Sequence, residues 1–231
     1  MSTGLSVTYM GMELQSPVIV GSCPLTSDPE TVRQLIGAGV GAVVLPSMLQ
    51  EQIVYRQLKN SDPLAAIDSS GYQPQHDKYN GGVEAYLRTI EHHKVNFRIP
   101  VFASLNGMGS GDWLDYAREI EAAGADALEL NLQSVISESS ESSDKIENEL
   151  CENVQQVCAS VAIPVAVKLG QRFTNLAGMA HKLQASGASG LVLFAHAPHW
   201  DVSVDRMHWT IRWEFVCMRL EVRQCRAIPP D

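Results

Sequence analysis

The stretch Ile163-Pro164-Val165-Ala166-Val167-Lys168-Leu169 decides the fold, because a segment of this kind occurs three times at regular spacing. Apolar strand candidates entered through proline also begin at Pro17 and Pro100. Each is followed, after 22, 24 and 23 residues in chain order, by a second strand candidate entered through glycine, at Gly39, Gly124 and Gly187. The chain therefore repeats one unit three times, and such repetition defines an architecture.

Each unit is predicted to be strand, helix, strand. Proline suits the first position of a strand, and glycine suits the position just after a helix. The stretches between them carry helix-start signals, such as Asp28 before Pro29-Glu30. The strands are nearly continuous apolar runs, which indicates burial on both faces. Six strands alternating with helices predict a parallel sheet with right-handed crossovers.

Two α/β architectures fit this pattern: a (β/α)8 barrel of the TIM type and an open doubly wound sheet. The Gly37-x-Gly39-x-Gly41 run precedes a strand, so it is not a dinucleotide-binding fingerprint, which follows one. The regular repeat favours the barrel, incomplete at about six of its eight βα units. Two short strands flanking Met10-Gly11 predict an N-terminal β-hairpin that plugs the barrel.

The composition excludes several classes of protein. With 17 Lys+Arg against 26 Asp+Glu, the formal charge of −9 argues against nucleic acid or an anionic membrane as partner. There is no apolar run of roughly 18 residues, the length of a membrane span. The N-terminus lacks a secretory signal pattern, and the five cysteines contain no C-x-x-C pair. We therefore expect a cytoplasmic protein with free thiols.

The composition changes near residue 195. All 17 glycines lie at or before Gly190, and three of the four tryptophans lie after it. We therefore predict a partial barrel over residues 1–194 and an atypical tail over 195–231, with a loose helix at Met207–Val222. The abrupt change suggests a shifted reading frame and a C-terminally truncated barrel.

Candidate chemistry lies at the carboxyl ends of the strands, where barrels place their active sites. Lys168 ends an apolar strand, so its ammonium needs an anionic or electron-rich partner, unless it snorkels at the rim. Asn106 and Asn131 offer neutral donors and acceptors, although each could instead cap a turn. His196 and His199 lack the helical i, i+4 spacing of a common zinc pair, so no metal is predicted.

Four motifs resemble the dihydroorotate dehydrogenase family, and more narrowly its bacterial dihydroorotate dehydrogenase-like branch. They fall in order on strands one, three, four and five, within residues 5–194: Ser16-Pro17-Val18-Ile19 with Gly21-Ser22, Ser104-Leu105-Asn106-Gly107, Glu129-Leu130-Asn131-Leu132, and Val167-Lys168-Leu169. The resemblance implies a flavin mononucleotide (FMN) barrel that oxidises dihydroorotate to orotate in pyrimidine (UMP) biosynthesis.

The resemblance also implies roles for individual residues. Lys168 would approach the flavin ring, where a cation favours the reduced, anionic form. Ser22 and Asn106 would contact the flavin, and Asn131 would contact the flavin or the substrate. Ser134 falls where the family has its Cys or Ser base. The substrate is expected to be dihydroorotate or a related heterocycle.

The chain departs from the family at three places. Pro46 stands where a lysine ends strand two, Val135-Ile136 replaces the usual Pro-Asn after Ser134, and no glycine-rich phosphate loop follows residue 194. Two alternatives to an active flavoenzyme therefore stay open. One is a truncated or inactive relative unable to bind FMN stably. The other is an aldolase-type barrel that uses Lys168 for Schiff-base chemistry.

Two expectations concern partners. A sheet of six strands leaves strands one and six as open edges, which favours pairing with a second copy of the chain. There is no cysteine cluster for an iron–sulfur centre, so we expect any such electron-transfer centre to belong to a separate subunit.

Overall fold

The computed structural model describes residues 4–58, 80–107, 112–132, 141–171, 173–195, 199–203 and 208–212. An N-terminal hairpin is formed by β1 (Val7–Tyr9) and β2 (Met12–Leu14). The alternating part then contains β3 (Ile19–Val20), a 3-10 helix (Pro24–Ser27), α1 (Pro29–Gly37), β4 (Ala42–Leu49), α2 (Gln50–Leu58), α3 (Gly82–Asn96), β5 (Val101–Asn106), α4 (Asp112–Ala122), β6 (Ala127–Asn131), α5 (Ser143–Ser160), β7 (Val165–Leu169), α6 (Leu176–Ala185) and β8 (Gly190–Leu193). A second hairpin consists of β9 (His199–Ser203) and β10 (His208–Arg212).

The six strands β3 to β8 form one parallel sheet in chain order. Helices connect successive strands, as the repeat predicts, and no neighbouring pair in this sheet is antiparallel. This strand order is that of six consecutive units of a TIM-type barrel. The prediction of an incomplete (β/α)8 barrel with a short N-terminal hairpin is therefore confirmed.

The sheet has two apolar faces. The outer face packs against the helices through alternate strand residues, including Val101, Ala103, Leu105, Leu128, Leu130, Val165 and Val167, all buried. The inner face has a smaller apolar cluster near the amino ends of the strands, where Phe102 and Ala127 meet Tyr9 and Leu14 of the first hairpin. The hairpin therefore covers the amino-terminal part of the inner face.

Strand β4 is longer than the sequence predicts. The sequence places Pro46 at its end, but the strand continues to Leu49 with a register shift between Val44 and Ser47. Pro46 lies within this irregularity, where its missing N–H interrupts no regular ladder bond. On the neighbouring strand, the Ser104 N–H donates to the Tyr86 hydroxyl at 2.8 Å. Pro46 is therefore inside a central strand rather than at its end.

The segment after β8 also differs from the prediction. A loose helix was expected at Met207–Val222, but residues 208–212 form β10, paired antiparallel with β9. The run Trp209-Thr210-Ile211 is aromatic and β-branched, which favours a strand. None of the helices in the described ranges is both long enough and apolar enough to cross a bilayer.

Candidate functional site

Three of the residues selected from the sequence lie side by side on adjacent strands. Asn106 of β5 is the register partner of Asn131 of β6, and Asn131 is the partner of Lys168 of β7. Their sequence neighbours Leu105, Leu130 and Val167 belong to the outer apolar core. Because strand side chains alternate between faces, the three polar residues face the inner side at the carboxyl ends of the strands. We call Asn106, Asn131 and Lys168 the polar row.

Lys168 is paired with a carboxylate on the neighbouring strand. Its Nζ lies 3.3 Å from Oε1 of Glu129, and the two side chains are only 11% and 5% exposed. Charges removed from water to this extent need a partner of opposite sign. The polar row therefore has a buried ion pair at one end.

Glu129 lies one level nearer the amino ends of the strands than the polar row. It is in register with Ser104 on one side and Ala166 on the other. Burial, and secondly the charge of Glu129, raise the pKa of Tyr9 to about 12, so its phenol is neutral at ordinary pH. The carboxylate of Glu129 thus lies between a cation and an apolar floor that contains a neutral phenol.

A chain of hydroxyls connects the loop after β3 to this polar layer. The Ser22 and Ser47 hydroxyl oxygens are 3.3 Å apart, and those of Ser47 and Ser104 are 2.8 Å apart. The Asn80 amide donates to the Ser47 carbonyl oxygen at 3.2 Å. Ser22 is therefore linked, through two buried serines, to the strand that carries Asn106.

Asn131 has an unusual side chain. Its Oδ1 is buried and has no hydrogen-bond partner among the described residues. A buried amide oxygen without a partner is uncommon in folded proteins, because its desolvation is not offset. In the middle of the polar row, this oxygen is suited to accept a hydrogen bond from a ligand.

The structure brings together four of the five site residues selected from the sequence. Ser22, Asn106, Asn131 and Lys168 are all in this region, whereas Ser134 lies outside the described residues. Sequence reasoning assigned no role to Glu129, although an acid inside the apolar strand Ala127–Asn131 signals a buried partner. In the described ranges, no group of three or more His, Cys, Asp or Glu side chains could hold a metal ion.

The fold defines a protein of the α/β-barrel class, with the polar row at the carboxyl ends of its strands. A family model described as dihydroorotate dehydrogenase matches residues 4–203. The chain therefore belongs to the dihydroorotate dehydrogenase family, a family of oxidoreductases.

Curated relatives agree with this assignment. The chain is 25% identical over 194 residues to dihydroorotate dehydrogenase A (fumarate) of Limosilactobacillus reuteri, covering 82% of this chain and 62% of the relative. It is 24% identical over 195 residues to the catalytic subunit of dihydroorotate dehydrogenase B (NAD(+)) of Fusobacterium nucleatum, covering 84% and 63%. It is 23% identical over 201 residues to the chloroplastic dihydropyrimidine dehydrogenase (NADP(+)) of Arabidopsis thaliana, covering 81% and 47%. The chain thus spans less than two thirds of each of these relatives.

Among solved structures, a dihydrodipicolinate synthase from Agrobacterium tumefaciens matches with a TM-score of 0.48 and 16% identity. The match covers 75% of this chain and 52% of that one. A likeness of this size carries no information about the chemistry of the polar row.

Proposed function

We propose that this chain is part of a flavin-dependent oxidoreductase that oxidises dihydroorotate, or a closely related heterocycle, in pyrimidine biosynthesis. The observation that carries the proposal is the polar row, in which two amides and an ion-paired lysine share one level at the carboxyl ends of three parallel strands. Membership of the dihydroorotate dehydrogenase family supports the reaction type. The similarity to dihydropyrimidine dehydrogenase supports related heterocycles as alternative substrates.

The residues of the polar row fit the ring of FMN. The pyrimidine edge of a flavin presents carbonyl oxygens and ring nitrogens, one of them an N–H, which complement an ammonium and amide groups. The unpartnered Oδ1 of Asn131 is an acceptor suited to that N–H. Lys168, Asn131, Asn106 and Ser22 would hold the ring, and FMN bound there would supply hydride acceptance.

The phosphate of FMN needs other residues. In barrels of this type, phosphate binds loops after strands seven and eight, at the amino end of a short helix. The barrel sheet in the described part of the chain contains the first six strands. The proposal therefore assigns this chain the ring-binding residues and leaves the phosphate to residues beyond β8.

The remaining roles fall to the chain's own side chains. With FMN bound, Lys168 would favour negative charge on the ring, and the amides of Asn106 and Asn131 would orient it. The apolar cluster around Phe102 and Tyr9 excludes water from the floor of the site. We assign Ser134 the removal of a proton from the substrate carbon, which requires a neighbouring base or a water relay to activate the hydroxyl.

In this proposal, the electrons taken from the substrate pass to an acceptor outside this chain. The Fusobacterium relative is named as a catalytic subunit, which supports an electron-transfer partner on a separate chain. The open edges at β3 and β8 of the described sheet are the surfaces at which a second copy would pair. We propose that the reaction takes place in the cytoplasm.

A second candidate function is that of a relative that keeps the fold but holds FMN weakly. Pro46 favours it, because this residue is buried inside β4 and adds no cation to the site. The Schiff-base alternative has no such support. That chemistry needs a neutral amine, whereas Lys168 forms an ion pair with Glu129.

The experiment is an FMN titration of the purified full chain, followed by its visible spectrum and by flavin fluorescence. We expect about one FMN per chain, and bleaching of the flavin absorbance when dihydroorotate is added without oxygen. Lys168→Met should weaken FMN binding by about tenfold or more. Lys182→Met is the matched control, because Lys182 pairs with Glu147 at the surface. A folded wild-type chain that binds no FMN would show that the second candidate is correct.

A further inference from the structure

We propose that Glu129 is a positioning residue, whose carboxylate fixes the Lys168 ammonium at the level of Asn106 and Asn131. The inference rests on the proposed function, since the group for which Lys168 is positioned is the flavin ring. It goes beyond that function because FMN affinity would then depend on Glu129, which lies one level below the polar row.

Lys168 reaches Glu129 diagonally across the two strands rather than directly opposite it. Its own register partner is Asn131, whereas Glu129 is in register with Ala166, two residues earlier on β7. The Nζ of Lys168 therefore meets Oε1 of Glu129 diagonally across β6 and β7, at 3.3 Å. A lysine side chain has four rotatable bonds and therefore many rotamers. Pairing with the Glu129 carboxylate restricts Lys168 to a few of them.

The neighbouring polar side chains Ser104 and Tyr9 carry no charge that could replace either member of this pair. The Ser104 hydroxyl, one strand away, already pairs with Ser47 at 2.8 Å. The Tyr9 phenol is neutral and cannot balance the carboxylate. Within the described ranges, Lys168 forms its ion pair with Glu129 and no other ion pair is found for either residue. Each charge of the pair therefore depends on the other.

The test is a double-mutant cycle between Glu129 and Lys168, read out as the FMN dissociation constant. Glu129→Ala should weaken FMN binding by about tenfold in the wild-type background. In the Lys168→Met background, the same substitution should change the dissociation constant by less than about twofold, because Glu129 acts through Lys168. Equal losses in both backgrounds would overturn the proposal, since a general structural defect does not require Lys168.

A conservative variant distinguishes the hydrogen-bond acceptor of Glu129 from its negative charge. Glu129→Gln keeps an acceptor oxygen at the Oε1 position but removes the charge, so it should recover part of the FMN affinity that Glu129→Ala loses. Glu147→Ala is the matched control, because it breaks the surface pair with Lys182 and should leave FMN binding unchanged. Failure of Glu129→Gln to improve on Glu129→Ala would contradict positioning by this oxygen.

A readout on flavin-free protein keeps the two proposals distinguishable. Each single substitution, Glu129→Ala or Lys168→Met, leaves one buried charge without a partner and should lower the melting temperature. The double variant removes both charges and should melt above at least one of the singles. Additive losses would show that the pair does not hold Lys168 and would overturn the inference. If the wild type binds no FMN, the proposed function fails, and this melting cycle still decides whether Glu129 fixes Lys168.

Discussion

Gly190 at the start of β8 provides the space in which the Tyr9 hydroxyl lies. A Cβ placed at residue 190 would be 2.8 Å from the Tyr9 oxygen and 3.0 Å from both Cγ and Sδ of Met10. The first hairpin thus approaches the last strand of the sheet at a position where a side chain would collide with it. This contact connects the amino end of the described chain to β8.

We expect Gly190→Ala to destabilise the protein by about 1–3 kcal/mol, because the added methyl group overpacks a closed contact. The free energy of unfolding in urea measures it. Gly37→Ala is the control, since nothing lies within 4 Å of a Cβ at that helical position. Alanine is the better helix former, so that variant should be neutral or more stable by up to about 1 kcal/mol. Equal effects of the two substitutions would contradict the packing argument.

His93 should make stability depend on pH. The residue is fully buried on α3, and its Nε2 lies 3.0 Å from the Thr26 carbonyl oxygen. A carbonyl only accepts, so Nε2 carries the proton of the neutral ring. Burial lowers the pKa of His93, with a smaller lowering from His92 and opposing contributions from the Thr26 and Thr89 carbonyls and from Asp28.

Below the ordinary histidine pKa of about 6.5, the unfolded chain takes up a proton that the folded chain does not. Stability should therefore fall as the pH drops from about 6.5 toward the lowered pKa of the folded state, and level off below it. Urea unfolding at a series of pH values measures this slope. His93→Gln, which cannot titrate, should flatten it. An unchanged slope in this variant would show that other groups cause the dependence.

Removing the hydroxyl group should change the stability of the protein in opposite directions at two buried tyrosines. The Tyr116 hydroxyl is buried without a hydrogen-bond partner among the described residues. Tyr116→Phe should therefore be neutral or stabilising by up to about 1 kcal/mol. The Tyr86 hydroxyl accepts from the Ser104 N–H at 2.8 Å and lies 3.3 Å from the Ser104 carbonyl oxygen. Tyr86→Phe should cost about 1–3 kcal/mol, because it leaves that buried N–H unpaired. Thermal unfolding of the two variants is the comparison, and the reverse order would refute it.

Asp126 should contribute more to stability than an ordinary surface acid. Its two carboxylate oxygens each accept from Lys94 at 2.7 Å, and Oδ2 also accepts from the Val101 N–H at 2.7 Å. The carboxylate therefore fixes the end of α3 to the start of β5. Asp126→Ala should cost about 1–3 kcal/mol. Asp115→Ala, which removes an exposed pair with Arg118, should cost less than about 0.5 kcal/mol. Similar losses in urea unfolding would argue against the anchoring role.

The order of the sheet could be predicted from the sequence because it depends on local signals. Proline at strand entries and glycine after helices mark each unit, and right-handed crossovers then leave few arrangements for six parallel strands. The extent of β4 could not be predicted in this way. A proline inside a strand normally indicates its end, and only pairing with β5 shows that the strand continues past Pro46 through a register shift.

The residues of the polar row could be predicted from the sequence, but the ion pair that joins Lys168 to Glu129 could not. Asn106, Asn131 and Lys168 each end an apolar run, which is visible in the sequence. The ion pair between Glu129 and Lys168 joins residues 39 positions apart and depends on the register of β6 against β7. Register arises from the packing of two strands and the helix between them, so single-residue patterns do not contain it.

The three residues of the polar row lie on three different strands, and this determines which changes in sequence length the site tolerates. A longer or shorter crossover between β5, β6 and β7 leaves each strand and its pairing intact, so insertions and deletions there preserve the row. One residue inserted within β6 before Leu130 would turn the Asn131 amide toward the helices and bring Leu130 to the inner face. Homologues with this site should therefore differ freely in loop length while keeping the spacing inside these three strands constant.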